Sequence, residues 1–390
     1  MLFSTHVLTS IGLFSISPLL PLIKKGYGLN HTEVGFLSGS FYLGVALTSV
    51  IAGWTVDLFG VRRMILLGTL LLGGALIAAA WIPWYAAMMF LFVIAGIGYS
   101  VVTPSSNKAV MLWFRDHIRA TAMGFKQTGI NGGGFLAGII IPPVALAFSW
   151  QWALSTAGLM VMGAIFFIFY IFKKEPAGQR LLSVQPWLVK LKRVISDRNV
   201  LLLSMEGFLR VGAQMAFFTY LVLSLQKVFG LNLLISSFLF ASAQVAGAAG
   251  RIVWGLLSDR VFKGRRKLVY VLIGLIAMAG FFLLGSLGSH TPFWIIFLVT
   301  VCLGFTAAGH QGVSLTLMAE SVGTELTGTA TGFGQSLCFW GAVLASPGFG
   351  FMVDSYGSFT YAWHALALLS FLCCVILFFV NERPISRTSP

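Results

Sequence analysis

Lys126, Arg210 and Arg251, together with the acid Glu206, stand inside long apolar stretches of this sequence. A charge in such surroundings costs about 2.5 kcal/mol or more on insertion scales, so it faces either a wet cavity or an ionic partner. The arginine fork matches a carboxylate in two-point geometry, and a lysine ammonium acts as a compact point charge. All three cations are therefore candidates to attract an anionic cargo. Glu206 lies four residues before Arg210 and shares its helical face. That spacing allows a structural ion pair without contact to cargo, or an acid that competes with the cargo for Arg210 and exchanges a proton as cargo binds. His6 could be a second titrating group, or a structural histidine near a helix end. Gln127, Asn131, Gln214 and Gln244 are candidates for orienting hydrogen bonds.

The elements that position these residues are membrane spans. Of 390 residues, 58% are apolar or aromatic and 9% charged, against roughly 25% charged in an average soluble domain. That composition rules out a water-soluble globule. A helix crossing ~30 Å of hydrocarbon needs ~20 mostly apolar residues, because its backbone must satisfy its own hydrogen bonds. Twelve such segments are predicted, at 2–23, 33–56, 64–83, 85–107, 121–147, 152–172, 199–226, 233–257, 268–287, 292–316, 328–349 and 360–380. The first has neither a basic stretch before it nor a small-residue cleavage site, so it reads as a retained helix. Arg210 then lies about 17 Å into the seventh span, and Arg251 roughly 12 Å above the loop carboxylate Asp259.

The net charge of +14 is explained by position. Eighteen Lys and Arg fall in the termini and even-numbered connections, and three in the odd-numbered ones. By the positive-inside rule the protein is multi-pass in a plasma (inner) membrane with both termini cytoplasmic, and no nucleic-acid partner is needed. The polar stretch 173–198 contains Pro176, Pro186 and the basic run LVKLKRVI, read as a short interfacial helix or a plain tether. Asn30-His31-Thr32 fits a glycosylation sequon on an outward loop. Four cysteines inside apolar stretches offer neither a disulfide framework nor metal-ligand spacing. No Walker loop, nucleophile elbow or HExxH is present, so no catalytic residue, metal or cofactor is assigned.

The two halves repeat each other. Lys25-Gly-Tyr-Gly-Leu-Asn30 recurs as Lys227-Val-Phe-Gly-Leu-Asn232, and Gly53-x-x-x-Asp57 as Gly255-x-x-x-Asp259, both at an offset of 202. After a two-residue insertion in the second copy, Thr121-Ala-Met-Gly-Phe-Lys-Gln-Thr128 recurs as Thr329-Ala-Thr-Gly-Phe-Gly-Gln-Ser336 at an offset of 208. Duplication with the same orientation implies two six-helix bundles, 1–172 and 199–390, related by an axis along the membrane normal with a site between them. The counterpart of Lys126 is Gly334, so the architecture does not require an ammonium there.

Gly53-Trp-Thr-Val-Asp-Leu-Phe-Gly-Val-Arg-Arg63 resembles the G-x-x-x-D-x-x-G-x-R-R/K loop signature of the major facilitator superfamily at every fixed position. The resemblance implies an all-α fold of twelve transmembrane helices in two six-helix bundles around a central cavity. It also implies a cytoplasmic gate of Asp57, Arg62, Arg63, Asp259, Arg265 and Arg266, in which a carboxylate beside two arginines pairs across the halves or caps a neighbouring helix. The basic residues could instead serve topology alone. The fifth span is similar to the family's antiporter motif, with Phe125 and Ile130 in place of its first Gly and its Pro. Pro104-Ser-Ser-Asn-Lys-Ala-Val-Met-Leu-Trp-Phe114 and Arg119-Ala-Thr-Ala-Met-Gly124 resemble the anion:cation symporters, and Gly-Arg251-x-x-x-Gly resembles the eighth-helix arginine of monocarboxylate and oxalate/formate carriers.

The expected protein is thus a monomeric secondary transporter moving a small anion, an organic carboxylate, by alternating access with protons. The alternative is a proton-coupled efflux antiporter for hydrophobic or cationic compounds, to which 14% aromatic residues would be suited. A receptor built on a transporter fold is the reading from another class.

Overall fold

The computed structural model describes residues 2–171, 187–322 and 326–382, without the side chains of 57, 116–121, 167, 169–171 and 187–188. The first half holds α1 (Leu2–Phe14), α2 (Ile16–Tyr27), α3 (His31–Phe59), α4 (Val61–Trp81), α5 (Tyr85–Ser100), α6 (Val102–Trp113), α7 (Asp116–Ala147) and α8 (Trp150–Ile171). A short α9 (Trp187–Ser196) precedes the second half, which holds α10 (Arg198–Phe229), α11 (Leu233–Leu256), α12 (Arg266–Ser286), α13 (Phe293–Leu303), α14 (Gln311–Val322), α15 (Thr327–Tyr356) and α16 (Phe359–Phe378). Two π-helical turns, Leu257–Val261 and Gly304–Ala308, extend α11 and join α13 to α14.

With α1–α2, α5–α6 and α13–α14 each counted as one path, these helices reproduce the twelve expected spans. Among the described residues, eleven helices are long and apolar enough to cross a membrane, and Trp150–Phe166 adds a shorter apolar one. The chain is therefore a multi-pass membrane protein. One boundary differs with consequence: α15 runs to Tyr356 rather than ending near 349, which brings Asp354 into its last turns. The LVKLKRVI run does form a helix, α9, whose Val194 is buried in an apolar cluster with Val200, Leu203, Leu317 and Ala330.

The recurring Gly-Leu-Asn is a helix stop followed by a helix start. Gly28 and Gly230 close α2 and α10 in the left-handed region (φ 67° and 66°), which costs an L side chain strain that glycine avoids. Two residues later the Asn30 and Asn232 side chains accept from the Glu33 and Ile235 N–H groups, capping α3 and α11. At the first of these the Asn30 N–H also donates to Glu33 Oε2 (2.8 Å), completing a capping box. The asparagine of the sequon is thus engaged in the fold.

Two seams join the halves, α3 against α15 and α7 against α11. They are repeats of one another. A Cβ on Gly35 of α3 would meet the Ser346 carbonyl of α15, and a Cβ on Gly138 of α7 would meet the Ser237 carbonyl of α11 at 2.9 Å. These are equivalent positions under the offsets of 202 and 208. At mid-depth the ring pair Tyr42–Phe339 (centroids 6.5 Å apart) on one seam occupies the positions of the Asn131–Gln244 hydrogen bond (3.1 Å) on the other. Toward the face that carries Leu2 and Glu382 the seams part: among the described residues, Cβ atoms on Gly53, Gly255 and Gly332 would meet nothing within 4 Å. The bundle is closed at the Asn30 face and diverges toward the termini.

Within the second half, Gly341 of α15 lies so close to the Phe208 carbonyl of α10 that a Cβ would overlap it. Gly341→Ala should lower the thermal unfolding midpoint of the purified protein by several degrees, the equivalent of about 1–3 kcal/mol of overpacking. Gly332→Ala, made into open space, should leave it within about one degree.

Candidate functional site

The three deep cations have different fates. Arg210 is buried in α10, where its Nε donates to Glu206 Oε1 one turn earlier. The other oxygen of Glu206 accepts from the Tyr270 hydroxyl of α12 at 2.5 Å, and the guanidinium carbon of Arg210 sits 4.3 Å from the centre of the Tyr270 ring. His310, at the start of the path into α14, stacks on the same ring at 6.1 Å. An ion pair one helical turn apart is available in every state of the helix, so Glu206 and Arg210 neutralise each other here. Arg210 Nη2 meets no hydrogen-bond partner among the described residues.

Lys126 is buried in α7 and is held by neutral oxygens. Its Nζ donates to Ser106 Oγ (2.8 Å) and to Asn107 Oδ1, both on α6. The Ser106 hydroxyl hydrogen goes to the Thr103 carbonyl (2.9 Å), so Ser106 Oγ can only accept from its other neighbours. His6 Nε2, 2.7 Å away, is therefore the N–H of that imidazole, and its buried Nδ1 is left as an acceptor without a partner among the described residues. This tautomer is assigned from the hydrogen-bond network.

Arg251 joins the two halves. Its Nη1 donates to the Gln127 carbonyl of α7 (2.8 Å) and its Nε to the Ala308 carbonyl (3.3 Å). Ala308 closes the π-helical turn, and a wider turn releases carbonyls from the regular ladder. Two others are taken in the same way: Phe305 O by Trp254 Nε1 (3.1 Å) and Ala307 O by His310 Nδ1 (2.9 Å). Both donors named for Arg251 thus go to backbone carbonyls, which leave its charge unmatched. His6 and Lys126 thus meet at one hydroxyl, that of Ser106. Lys108, the fourth basic residue within the spans, donates to the Val56 carbonyl at 3.2 Å.

The four amides lie on α7, α10 and α11. Asn131 Nδ2 donates to Gln244 Oε1 across the seam, while Asn131 Oδ1, Gln244 Nε2, Gln127 Oε1 and Gln214 Oε1 meet no partner among the described residues. Buried polar atoms are normally satisfied, so these four side chains are candidates for bonds to a polar guest.

At the terminal face Arg266 binds acceptors of the second half, Ser258 Oγ at 3.4 Å among them. Its Nη1 donates to Asp259 Oδ1 (2.8 Å) and its Nε to both oxygens of Glu320 (2.7 and 2.9 Å). Arg63 and Arg265 are exposed and Arg62 is half-buried, while the Asp57 side chain lies outside the described residues. Sequence reading missed Tyr270, His310, Ser106, Asn107 and Glu320. Glu320 is an isolated acid that helical spacing does not connect to Arg266, and the others are ordinary polar residues whose partners are many positions away.

Because Glu206 and Arg210 neutralise one another in the interior, removing one should cost more than removing both. Glu206→Ala should destabilise the purified protein by about 3–5 kcal/mol, and Glu206→Leu with Arg210→Met by less. Thermal unfolding of the two variants in one detergent checks the order. A double variant less stable than Glu206→Ala would contradict the assignment.

Comparisons with known proteins identify the family and the fold. The sequence profile of the Major Facilitator Superfamily matches residues 2–346. The chain is 23% identical over 372 residues to a probable sulfoacetate transporter of Cupriavidus necator, covering 88% of this chain and 84% of that protein. It is 26% identical over 389 residues to a cis,cis-muconate transport protein of Acinetobacter baylyi, covering 95% and 91%. Its fold superposes on the crystal structure of a D-xylose-proton symporter with a TM-score of 0.80, at 16% identity over 98% of this chain and 97% of that one. The chain belongs to the Major Facilitator Superfamily and is a secondary transporter rather than an enzyme.

Proposed function

We propose that this transporter moves a small organic anion, a carboxylate, by alternating access with proton coupling. One observation carries the reading: Lys126 and Arg251 are held in the interior by neutral oxygens, while Glu206, the acid at comparable depth, is engaged by Arg210 and Tyr270. An interior with unmatched positive charge is stabilised by an anionic guest and destabilised by a cationic one. The sulfoacetate and muconate transporters among its relatives support the same cargo class.

Gln127, Asn131, Gln214 and Gln244 supply orienting hydrogen bonds, and His6 Nδ1 an acceptor for a hydroxyl or protonated group of the cargo. His6 shares the Ser106 hydroxyl with Lys126 and takes this role. The proton goes to Glu206. When Glu206 is protonated, its pairing with Arg210 weakens, and the guanidinium becomes available to a cargo carboxylate. Proton and anion would thus enter together, and loss of the cargo would restore the ion pair.

The positive-inside asymmetry orients the terminal face toward the cytoplasm of a plasma (inner) membrane, which makes the observed state closed outside. The units 1–172 and 199–390 would rock about the site, with 173–198 as their tether. Asp57, Arg62 and Arg63 of one unit and Asp259, Arg265 and Arg266 of the other would form the inner gate. Opening of the gate would leave Arg266 with the same-half acids it now holds.

Thermal-shift screening of the purified protein against carboxylates, inorganic anions and drug-like cations tests the cargo class. Carboxylates should raise the midpoint, and Lys126→Ala and Arg251→Ala should each weaken that effect at least tenfold in ligand concentration. Stabilisation by cations alone would favour the efflux antiporter. Glu206→Gln, which resembles the protonated acid, should retain carboxylate exchange across proteoliposomes and lose accumulation driven by a pH gradient.

A further inference from the structure

At the Asn30 face a carboxylate of the second half covers the start of a helix of the first. Asp354 Oδ1, near the end of α15, accepts from the His31 backbone N–H (3.0 Å) and lies 2.6 Å from His31 Nδ1. Oδ2 accepts from the Thr32 N–H and from the Thr32 hydroxyl, each at 2.7 Å. The Tyr220 hydroxyl of α10 donates to the His31 carbonyl (2.6 Å), and a Cβ on Gly350 of α15 would overlap that same carbonyl.

The first N–H groups of a helix have no partner within it and carry partial positive charge. In α3 the third of them is capped locally by Asn30, while the first two are capped by a residue more than three hundred positions away. A local cap travels with its helix through any motion. A cap borrowed from the opposite half does not: α3 and α15 cannot separate at this face without exposing both N–H groups, the Thr32 hydroxyl and the Asp354 carboxylate. The duplication does not require the contact. Under the same offsets His31 and Thr32 correspond to Leu233 and Leu234, and Asp354 corresponds to Leu146, so the α7–α11 seam has leucines in these places.

We propose that Asp354 is a positioning residue of the transport cycle: its carboxylate latches α15 onto the first turn of α3 and holds the Asn30 face shut, and its release is what lets that face open. The inference rests on the alternating-access reading above and adds the element that sets which face is closed.

Hydrogen–deuterium exchange of the purified, cargo-free protein tests it, with Asp354→Ala compared with wild type. If the latch sets the equilibrium, exchange should rise at least tenfold along 31–37 of α3 and 346–353 of α15. At the same time it should fall along 53–59 and 255–261, where the opposite ends of the seams close together. Thr32→Val, which removes one of the four contacts, should give the same two-sided pattern at about threefold and serves if Asp354→Ala does not fold. Faster exchange confined to 31–33, or none, would be a lost cap and nothing more, and would overturn the proposal. The cargo reading stands apart: a latched protein stabilised by no carboxylate would lose the cargo, and a carboxylate binder showing only local fraying would lose the latch.

Discussion

Unmatched positive charge in an interior built of apolar helices is the constraint from which the rest of the molecule follows. Burying an ion without its counter-ion is costly, by several kcal/mol even after relaxation, and the protein meets that cost in two ways. In the second half it places Glu206 one turn from Arg210, with Tyr270 donating to the remaining oxygen and offering its ring face to the guanidinium. That cluster lies within its own bundle. For the other two cations it does the opposite: Lys126 and Arg251 are held by Ser106, Asn107 and backbone carbonyls, which position a charge without neutralising it. The first arrangement matches charge with charge, and the second leaves it unmatched among the described residues.

The π-helical turn at Gly304–Ala308 belongs to the same logic. An interior carbonyl of a regular helix already accepts from its own ladder, and the wider turn provides three that Trp254, His310 and Arg251 use. Arg251 then reaches α7 as well, so one side chain joins the second bundle's least regular segment to the peptide that follows Lys126. A change of geometry in that segment would be felt at the site through this contact.

The two seams show what duplication preserves and what it leaves to be varied. Both keep the close backbone approach at Gly35 and Gly138, since a small residue there sets how near the helices can come. Their side chains have diverged. Aromatic rings at Tyr42 and Phe339 stand where Asn131 and Gln244 bond on the other seam, and the Asp354 contact stands where its repeat has leucines. One seam thus carries polar groups to the centre, and the other concentrates them at the Asn30 face. A symmetric scaffold has acquired distinct ends.

Much of this was legible in the residues alone, because hydrophobic length, helix punctuation and repeat offset are local properties. Apolar runs of about twenty residues dictated the spans, Gly28-Leu29-Asn30 and its copy dictated where helices stop and start, and the Glu206 to Arg210 spacing put that pair on one face. The sequence could also say that three cations lie deep, but not which of them is neutralised. That was decided by packing: Tyr270, sixty-four residues beyond Glu206, and Ser106, twenty before Lys126, become neighbours only once helices cross. The extra length of α15, the π-helical turn and the pairing of Asp354 with His31 and Thr32 were likewise invisible. A hydrogen bond between distant segments leaves no periodicity in either of them, whereas a buried face leaves its period in every turn.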